Sequence, residues 1–329
     1  MRISEMGGEV ALISLIKHNY GVDTAKGLAL GIGDDAALIE FGDKLLIVTT
    51  DILIENTHFR MDINEPYLLG WKSMAVNLSD IAAMGGEPSY AFVSIGLPDI
   101  DVGIVHSIYQ GMQDVSAKYG SVIAGGDTVA SSCGIVINVT QLGMVERECA
   151  ARRTGARPGD VVLVTNTLGD SRAGLELLLK RGRAHDGHEY VVARHLKPEP
   201  RLREARAAVV TGKLHAMMDL SDGLSADLLK LCECSGVGAR IDAARIPISP
   251  EMRACAAELG ADPVMLAASG GEDYELLLAC APEDAETIAE AIEGTGSMAT
   301  VVGEFTSGNN CALVTKAGDE PMPGSWQHF

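Results

Sequence analysis

The spacing of apolar and polar residues divides the chain into short, strongly patterned segments. Val10–His18 has helical spacing and predicts a short helix, followed by a glycine-containing turn before Gly31. Leu45–Thr50 is a run of β-branched and apolar residues, which predicts a buried strand that delivers Asp51 at its end. Pro66 and Gly85-Gly86 bracket the next stretch as helix boundaries, because Pro suits the first turn and Gly the position after the last. Within it Trp71, Met74, Ala75, Val76, Leu78, Ile81, Ala82 and Ala83 cover most of the surface, leaving Ser73, Asn77 and Asp80 on one face. Such a stripe is either the solvent side or the wall of a wet cavity, and periodicity alone favours solvent.

The pattern continues with a strand at Tyr90–Gly96, a helix at Val105–Tyr119, and a short strand at Ser121–Ala124 that runs into a turn, Gly125-Gly126-Asp127-Thr128. Ile135–Val145 then alternates as a strand. This β-α-β-α-β order predicts an α+β or α/β sheet with helices packed on it. Arg, Gly and Pro cluster at Arg152–Gly159, which places a boundary between a domain at 1–150 and another at 151–329. The second half has a strand at Val161–Val164, helices at Gly174–Arg181 and Arg201–Thr211, and the segment Met217–Gly223. A turn, Gly270-Gly271-Glu272-Asp273, then enters the strand Tyr274–Ala279. Leu-Ser-Asp occurs in register in Asn77–Asp80 and Asp219–Asp222; chance, or the preference of Ser and Asp for helix N-termini, explains so short an echo as well as a repeat does.

A length of 329 residues fits two domains better than one. Although 47% of residues are hydrophobic, no run approaches the roughly 18–20 apolar residues of a membrane span, and the first residues do not read as a signal peptide. A cytoplasmic protein without a membrane anchor is expected. The formal charge of −19 repels phosphate backbones and argues against nucleic-acid binding. Seven cysteines, scattered without CxxC pairs, read as reduced core thiols.

The acids carry the chemistry. Asp34, Asp35, Asp51, Asp80, Asp127, Asp219 and Asp222 each stand at a strand end, in a glycine turn or on a helix face. Any one alone reads as a cap or turn residue. If several converge, their repulsion requires a cation, and carboxylate sites without Cys or His favour hard ions such as Mg²⁺. The chain has no P-loop, so the lysine of that motif is missing and metal would have to replace it. Gly125-Gly126 allows close backbone approach to a phosphate. Glu272 binds a substrate or ends a loop, His58 follows the Asp51 strand, and Trp326 anchors the tail or stacks on a flat ligand.

Taken in order, Gly31–Ala37, Thr49–Asp51, Thr57–Phe59, Asn77–Gly85, Gly125–Thr128, Asp219–Leu224 and the Gly-Gly-Glu-Asp-Tyr-Glu-Leu segment at Glu272 form a specific set. The chain resembles the thiamine-monophosphate kinase family of the aminoimidazole-ribonucleotide synthetase superfamily, from about Gly31 to Phe329. The resemblance implies an α+β, two-domain synthetase-like fold: an N-terminal α+β domain whose sheet pairs with that of a second subunit into a β-barrel, making a homodimer, and a C-terminal α/β domain. ATP and several Mg²⁺ ions would lie between the domains. It implies Asp35, Thr49, Thr50, Asp51, Asp80, Asp127, Asp219 and Asp222 as the metal shell, Gly126, Asp127, Arg153 and Ser221 at the nucleotide, and His58, Glu272 and Trp326 at the substrate. Thr49 keeps a hydroxyl where relatives carry Ser. Asp34 is left as support for the turn, and Tyr109 is not assigned.

The implied reaction converts ATP and thiamine monophosphate to thiamine diphosphate and ADP. Its acceptor is a phosphate oxygen with a second pKa of ~6, largely anionic at neutral pH, so neither a protein general base nor a nucleophile is expected. The rivals are another ATP-dependent synthetase of the superfamily and a non-catalytic nucleotide or metal sensor. A selenide-type reaction lacks its N-terminal cysteine here, and a hydrogenase-maturation role lacks a C-terminal one.

Overall fold

The computed structural model describes residues 2–3, 5, 8–21, 27–183 and 186–324. The first half contains α1 (Gly8–Tyr20), β1 (Leu28–Leu30), β2 (Ala37–Phe41), β3 (Lys44–Ile54), α2 (Pro66–Ala83), β4 (Glu87–Leu97), α3 (Val102–Tyr119), β5 (Val122–Ala130) and β6 (Val136–Glu146). Its six strands lie in the order β1-β2-β3-β6-β4-β5, with only β4 and β5 parallel. Burial alternates along β6 and most of β3, so one face is packed and the other turned outward. Helices α2 and α3 lie on the packed face. They approach closely because Gly70 and Gly111 have no Cβ: one on Gly70 would stand 1.8 Å from the Ile108 carbonyl oxygen, and one on Gly111 1.9 Å from that of Tyr67.

The second half contains β7 (Val161–Thr165), α4 (Asp170–Arg181), α5 (Glu189–Leu196), α6 (Leu202–Val209), β8 (Leu214–Asp219), α7 (Leu224–Ser235) and β9 (Gly238–Asp242). It continues with α8 (Pro250–Leu259), α9 (Pro263–Ser269), β10 (Leu276–Cys280), α10 (Ala285–Glu293), β11 (Ala299–Thr306), β12 (Cys311–Thr315) and β13 (Gly318–Pro321). The strand order is β13-β12-β9-β11-β7-β10-β8. Central β7 and β10 are apolar almost throughout because both faces of this sheet are covered. One core layer joins α2 and the first sheet to α6, α10 and residues Leu163, Met217, Leu276 and Leu278. The other packs α4, α7, α8 and α9 on the far side of the second sheet.

The elements follow the sequence patterns, with informative departures. The second sheet is antiparallel except for β9 and β12, so the C-terminal half is a helix-flanked mixed sheet and not a parallel α/β unit. Every residue of α2 from Leu69 to Ala83 is buried apart from Asp80, which is partly buried. Its polar stripe therefore does not face solvent, because α2 is wedged between the first sheet and the β8 edge of the second. Strand β3 runs three residues beyond Asp51, and Gly125–Thr128 lie inside β5 rather than in a turn. The Leu-Ser-Asp echo is not a structural repeat: one copy is helical, the other follows β8 in a loop. All seven cysteines are free, but only Cys232, Cys255 and Cys280 are buried, while Cys133 and Cys234 are exposed.

Candidate active site

Three carboxylates meet where α2 reaches the end of β8. Asp35 comes from the loop before β2, Asp80 from the last turn of α2 and Asp219 from the last position of β8, with one oxygen of each within 4.8 Å of the others. The Thr49 hydroxyl, buried on β3, donates to Asp80 Oδ2. Ser79 donates to Asp219 Oδ2 at 2.6 Å. Asn77 accepts the Asp51 backbone N–H at 3.1 Å and donates to the Ser73 carbonyl at 3.1 Å, so the polar stripe of α2 ties the helix to β3.

Burial and mutual repulsion govern the charges. Desolvation, then the charges of Asp51, Asp219 and Asp35, raise the pKa of Asp80 well above the usual carboxylate range. Asp219 is raised by burial and then by Asp35, and burial pushes Asp51 up to about 6. Arg153 opposes this: its Nε and Nη2 donate to Asp35 Oδ1 at 3.1 and 2.5 Å. Asp35 Oδ2 is buried with no hydrogen-bond partner among the described residues. An oxygen-only donor set, crowded negative charge and an orphaned carboxylate oxygen are what a hard divalent cation satisfies, so these residues fit Mg²⁺. Asp34 serves the turn, accepting from the backbone N–H of Asp35 at 3.1 Å and of Arg153 at 3.2 Å. Burial, then Asp35, pushes it up to about 7.

Beside this group, Asp222 pairs with Lys230 at 2.5 Å. Buried Asp227 accepts the backbone N–H groups of Asp222 and Gly223, both at 2.9 Å, and also meets Lys230 at 2.9 Å, which fixes the loop after β8. The Ser221 carbonyl accepts the Glu272 N–H at 2.6 Å. Glu272 has φ 64°, in the left-handed region. Its Oε1 is 2.7 Å from Lys72 Nζ and its Oε2 3.3 Å from His195 Nδ1. His58 accepts the Ile54 N–H at Nδ1 at 3.0 Å, which places its ring proton on Nε2.

The remaining candidates stand elsewhere. Thr50 lies on the outward face of the first sheet, donating to the Val139 carbonyl at 3.1 Å. Asp127 is exposed on edge strand β5 opposite Ser94, outside the three-carboxylate group, and lines a cavity of about 460 Å³ with Ser94, Ser131 and Asn138. Neighbouring Gly126 has a steric reason to be glycine: a Cβ there would stand 1.7 Å from the Val93 carbonyl oxygen. Tyr109 is half-buried on α3 against the core. Trp326 lies outside the described residues. Ser79, Asn77, Lys72, His195, Asp227 and Lys230 did not stand out as site residues. The spacing of Asn77 with Asp80, and a lysine inside an apolar helix, were the available signals; His195 and Asp227 carry none.

Fold and acid set together define a two-domain protein of the aminoimidazole-ribonucleotide (AIR) synthase kind. Residues 33–145 match the AIR synthase related protein, N-terminal domain, and residues 157–316 the AIR synthase related protein, C-terminal domain. The chain is 36% identical over 331 residues to the thiamine-monophosphate kinase of Aquifex aeolicus (strain VF5), covering 100% of both chains. It is 35% identical to that of Escherichia coli (strain K12), covering 91% of both. A solved structure of AaThiL complexed with AMPPCP and TMP is similar at a TM-score of 0.88 and 36% identity, covering 100% of this chain and 99% of that one. The chain belongs to the thiamine-monophosphate kinase family.

Proposed function

We propose that this chain transfers the γ-phosphoryl group of ATP directly to thiamine monophosphate, giving thiamine diphosphate and ADP. The observation that carries this reading is the convergence of Asp35, Asp80 and Asp219 beside Arg153, with Asp35 Oδ2 left unsatisfied. The likeness to a kinase structure with an ATP analogue and TMP supports it. Asp35, Asp80 and Asp219 would hold one Mg²⁺ ion with Thr49, Asp51 and Asp222 beside them, and Thr50 and Asp127, which open on the outward face of the first sheet, would serve another. Bound there, Mg²⁺ supplies neutralisation of phosphate charge and a template for in-line geometry.

The protein's own residues set position. Thr49 and Ser79 aim the carboxylates of Asp80 and Asp219. Arg153 holds a fixed guanidinium at the nucleotide, with Gly126, Asp127 and Ser221 as the other nucleotide contacts. His58, Glu272 and Trp326 contact the thiamine half. The acceptor oxygen is already anionic at neutral pH, so no side chain needs to remove a proton, and positioning with charge neutralisation supplies the rate.

The active unit in this reading is a cytoplasmic homodimer, its domains divided near residue 150. Exposed Ile52, Tyr90, Phe92, Val122 and Val129 on the outward face of the first sheet support coverage by a second subunit. Thr50 and the Asp127 cavity open on that face, so dimerisation would enclose them. Purified protein given ATP, Mg²⁺ and thiamine monophosphate should form thiamine diphosphate, and should elute at twice the chain mass. ATP binding without product would sink the kinase reading in favour of a sensor.

A further inference from the structure

Lys72 is 1% exposed, in a helix whose neighbouring positions Leu69, Trp71, Met74, Ala75 and Val76 are buried apolar side chains. A buried ammonium is costly unless paired, and its partner is Glu272 Oε1 at 2.7 Å. The second carboxylate oxygen meets His195 Nδ1 at 3.3 Å, and the same nitrogen is 3.1 Å from Ser171 Oγ. His195 is itself buried on α5, next to α2. The backbone is pinned as well: Glu272 donates to the Ser221 carbonyl at 2.6 Å and Tyr274 to that of Leu220 at 2.9 Å, both residues at positive φ. Left-handed backbone at two non-glycine residues persists only where surrounding contacts over-determine it.

We propose that Lys72 and His195 are positioning residues for Glu272, each holding one carboxylate oxygen so that the remaining acceptor sites of the carboxylate orient the nitrogen-rich organic half of the phosphate acceptor. The inference rests on the reading of Glu272 as a substrate contact. An ionised carboxylate offers about four lone-pair sites, so two anchors still leave capacity for a substrate donor. Lys72 and Asp80 share α2, eight residues or ~12 Å apart along the axis. One buried rod therefore spaces the residue that grips the organic half from the carboxylates that serve the phosphate half.

The test is steady-state kinetics of K72M, K72R, H195Q, E272Q and K72M/E272Q, with KM determined separately for thiamine monophosphate and ATP. Lys72 acting through Glu272 predicts that K72M raises KM for thiamine monophosphate about tenfold or more and leaves KM for ATP within about twofold. K72R should recover part of the loss, H195Q should show a smaller shift of the same kind, and the double variant should be no worse than E272Q. If K72M fails to fold, K72M/E272Q, which removes both charges of the pair, is compared with E272Q. Additive losses in the double variant, an equal rise in KM for ATP, or wild-type constants in K72M beside an impaired E272Q would overturn the proposal. Wild-type constants in E272Q would instead sink the substrate-contact reading, and absence of product from the wild type would sink the kinase reading.

Discussion

Ser79 donates a 2.6 Å hydrogen bond to Asp219 Oδ2 across 140 residues of chain, joining the helix of the first sheet to the strand end of the second. Both residues are buried. The site is thus assembled by a contact between the two halves, and its geometry depends on their packing.

Ser79→Ala should destabilise the protein by roughly 1–3 kcal/mol, the range for leaving a buried acceptor without its partner. Urea denaturation measures this. A change below ~0.5 kcal/mol would mean that Asp219 does not depend on Ser79.

Because the folded-state pKa of Asp80 is raised above its unfolded value of 3.8, the metal-free protein loses stability as pH rises from the unfolded pKa through the folded one. Asp80→Asn removes this repulsion. We expect its metal-free Tm to rise by a few degrees, about 2–4 °C for each kcal/mol, while the upward shift that Mg²⁺ gives the wild type shrinks or disappears. Thermal melts with and without MgCl₂ check both halves. An undiminished Mg²⁺ shift would remove Asp80 from the metal shell.

Asp127→Asn and Asp222→Asn should each lower turnover on the order of a hundredfold or more with the fold intact. Asp127 is exposed, so its Tm should not move. Asp222→Asn weakens a part-exposed pair with Lys230, worth less than ~1 kcal/mol. Full activity in either variant excludes that residue as a ligand.

His195 is pushed down to about 3 by burial and then by the Lys72 charge, against 6.5 in the unfolded chain. Between these values the unfolded state binds a proton that the folded state does not. Its contribution to stability is therefore lost as pH falls from 6.5 toward 3, by at most ~1.4 kcal/mol per pH unit. His195→Gln should lose less stability than the wild type between about pH 7 and about pH 5 by urea denaturation. Parallel losses would show that His195 does not titrate in that window.

Strands Leu45–Thr50, Tyr90–Gly96 and Ile135–Val145 and the helix from Pro66 were legible because local periodicity and Pro/Gly punctuation reflect what the backbone needs within a few residues. The acids were legible as a set for the same reason, each at a strand end, beside glycine or on a helix face. The face of α2 was not. By periodicity Ser73, Asn77 and Asp80 read more readily as a solvated stripe than as a cavity wall, and only the contact of that face with β3, where Asn77 meets the Asp51 N–H and Asp80 the Thr49 hydroxyl, turns them inward.

By itself the sequence determined the elements, the ordered motifs and, through the family they resemble, the phosphoryl-transfer chemistry, since these depend on residue type and local spacing. Tertiary structure alone decided which carboxylates share a site. Asp35, Asp80 and Asp219 come within 4.8 Å of one another, whereas Thr50 and Asp127 lie on the opposite face of the first sheet or at its edge. It also decided that Lys72 and His195 hold Glu272. The physical reason is that electrostatic coupling and desolvation depend on distances of a few ångströms between segments far apart in the chain, which no local pattern encodes.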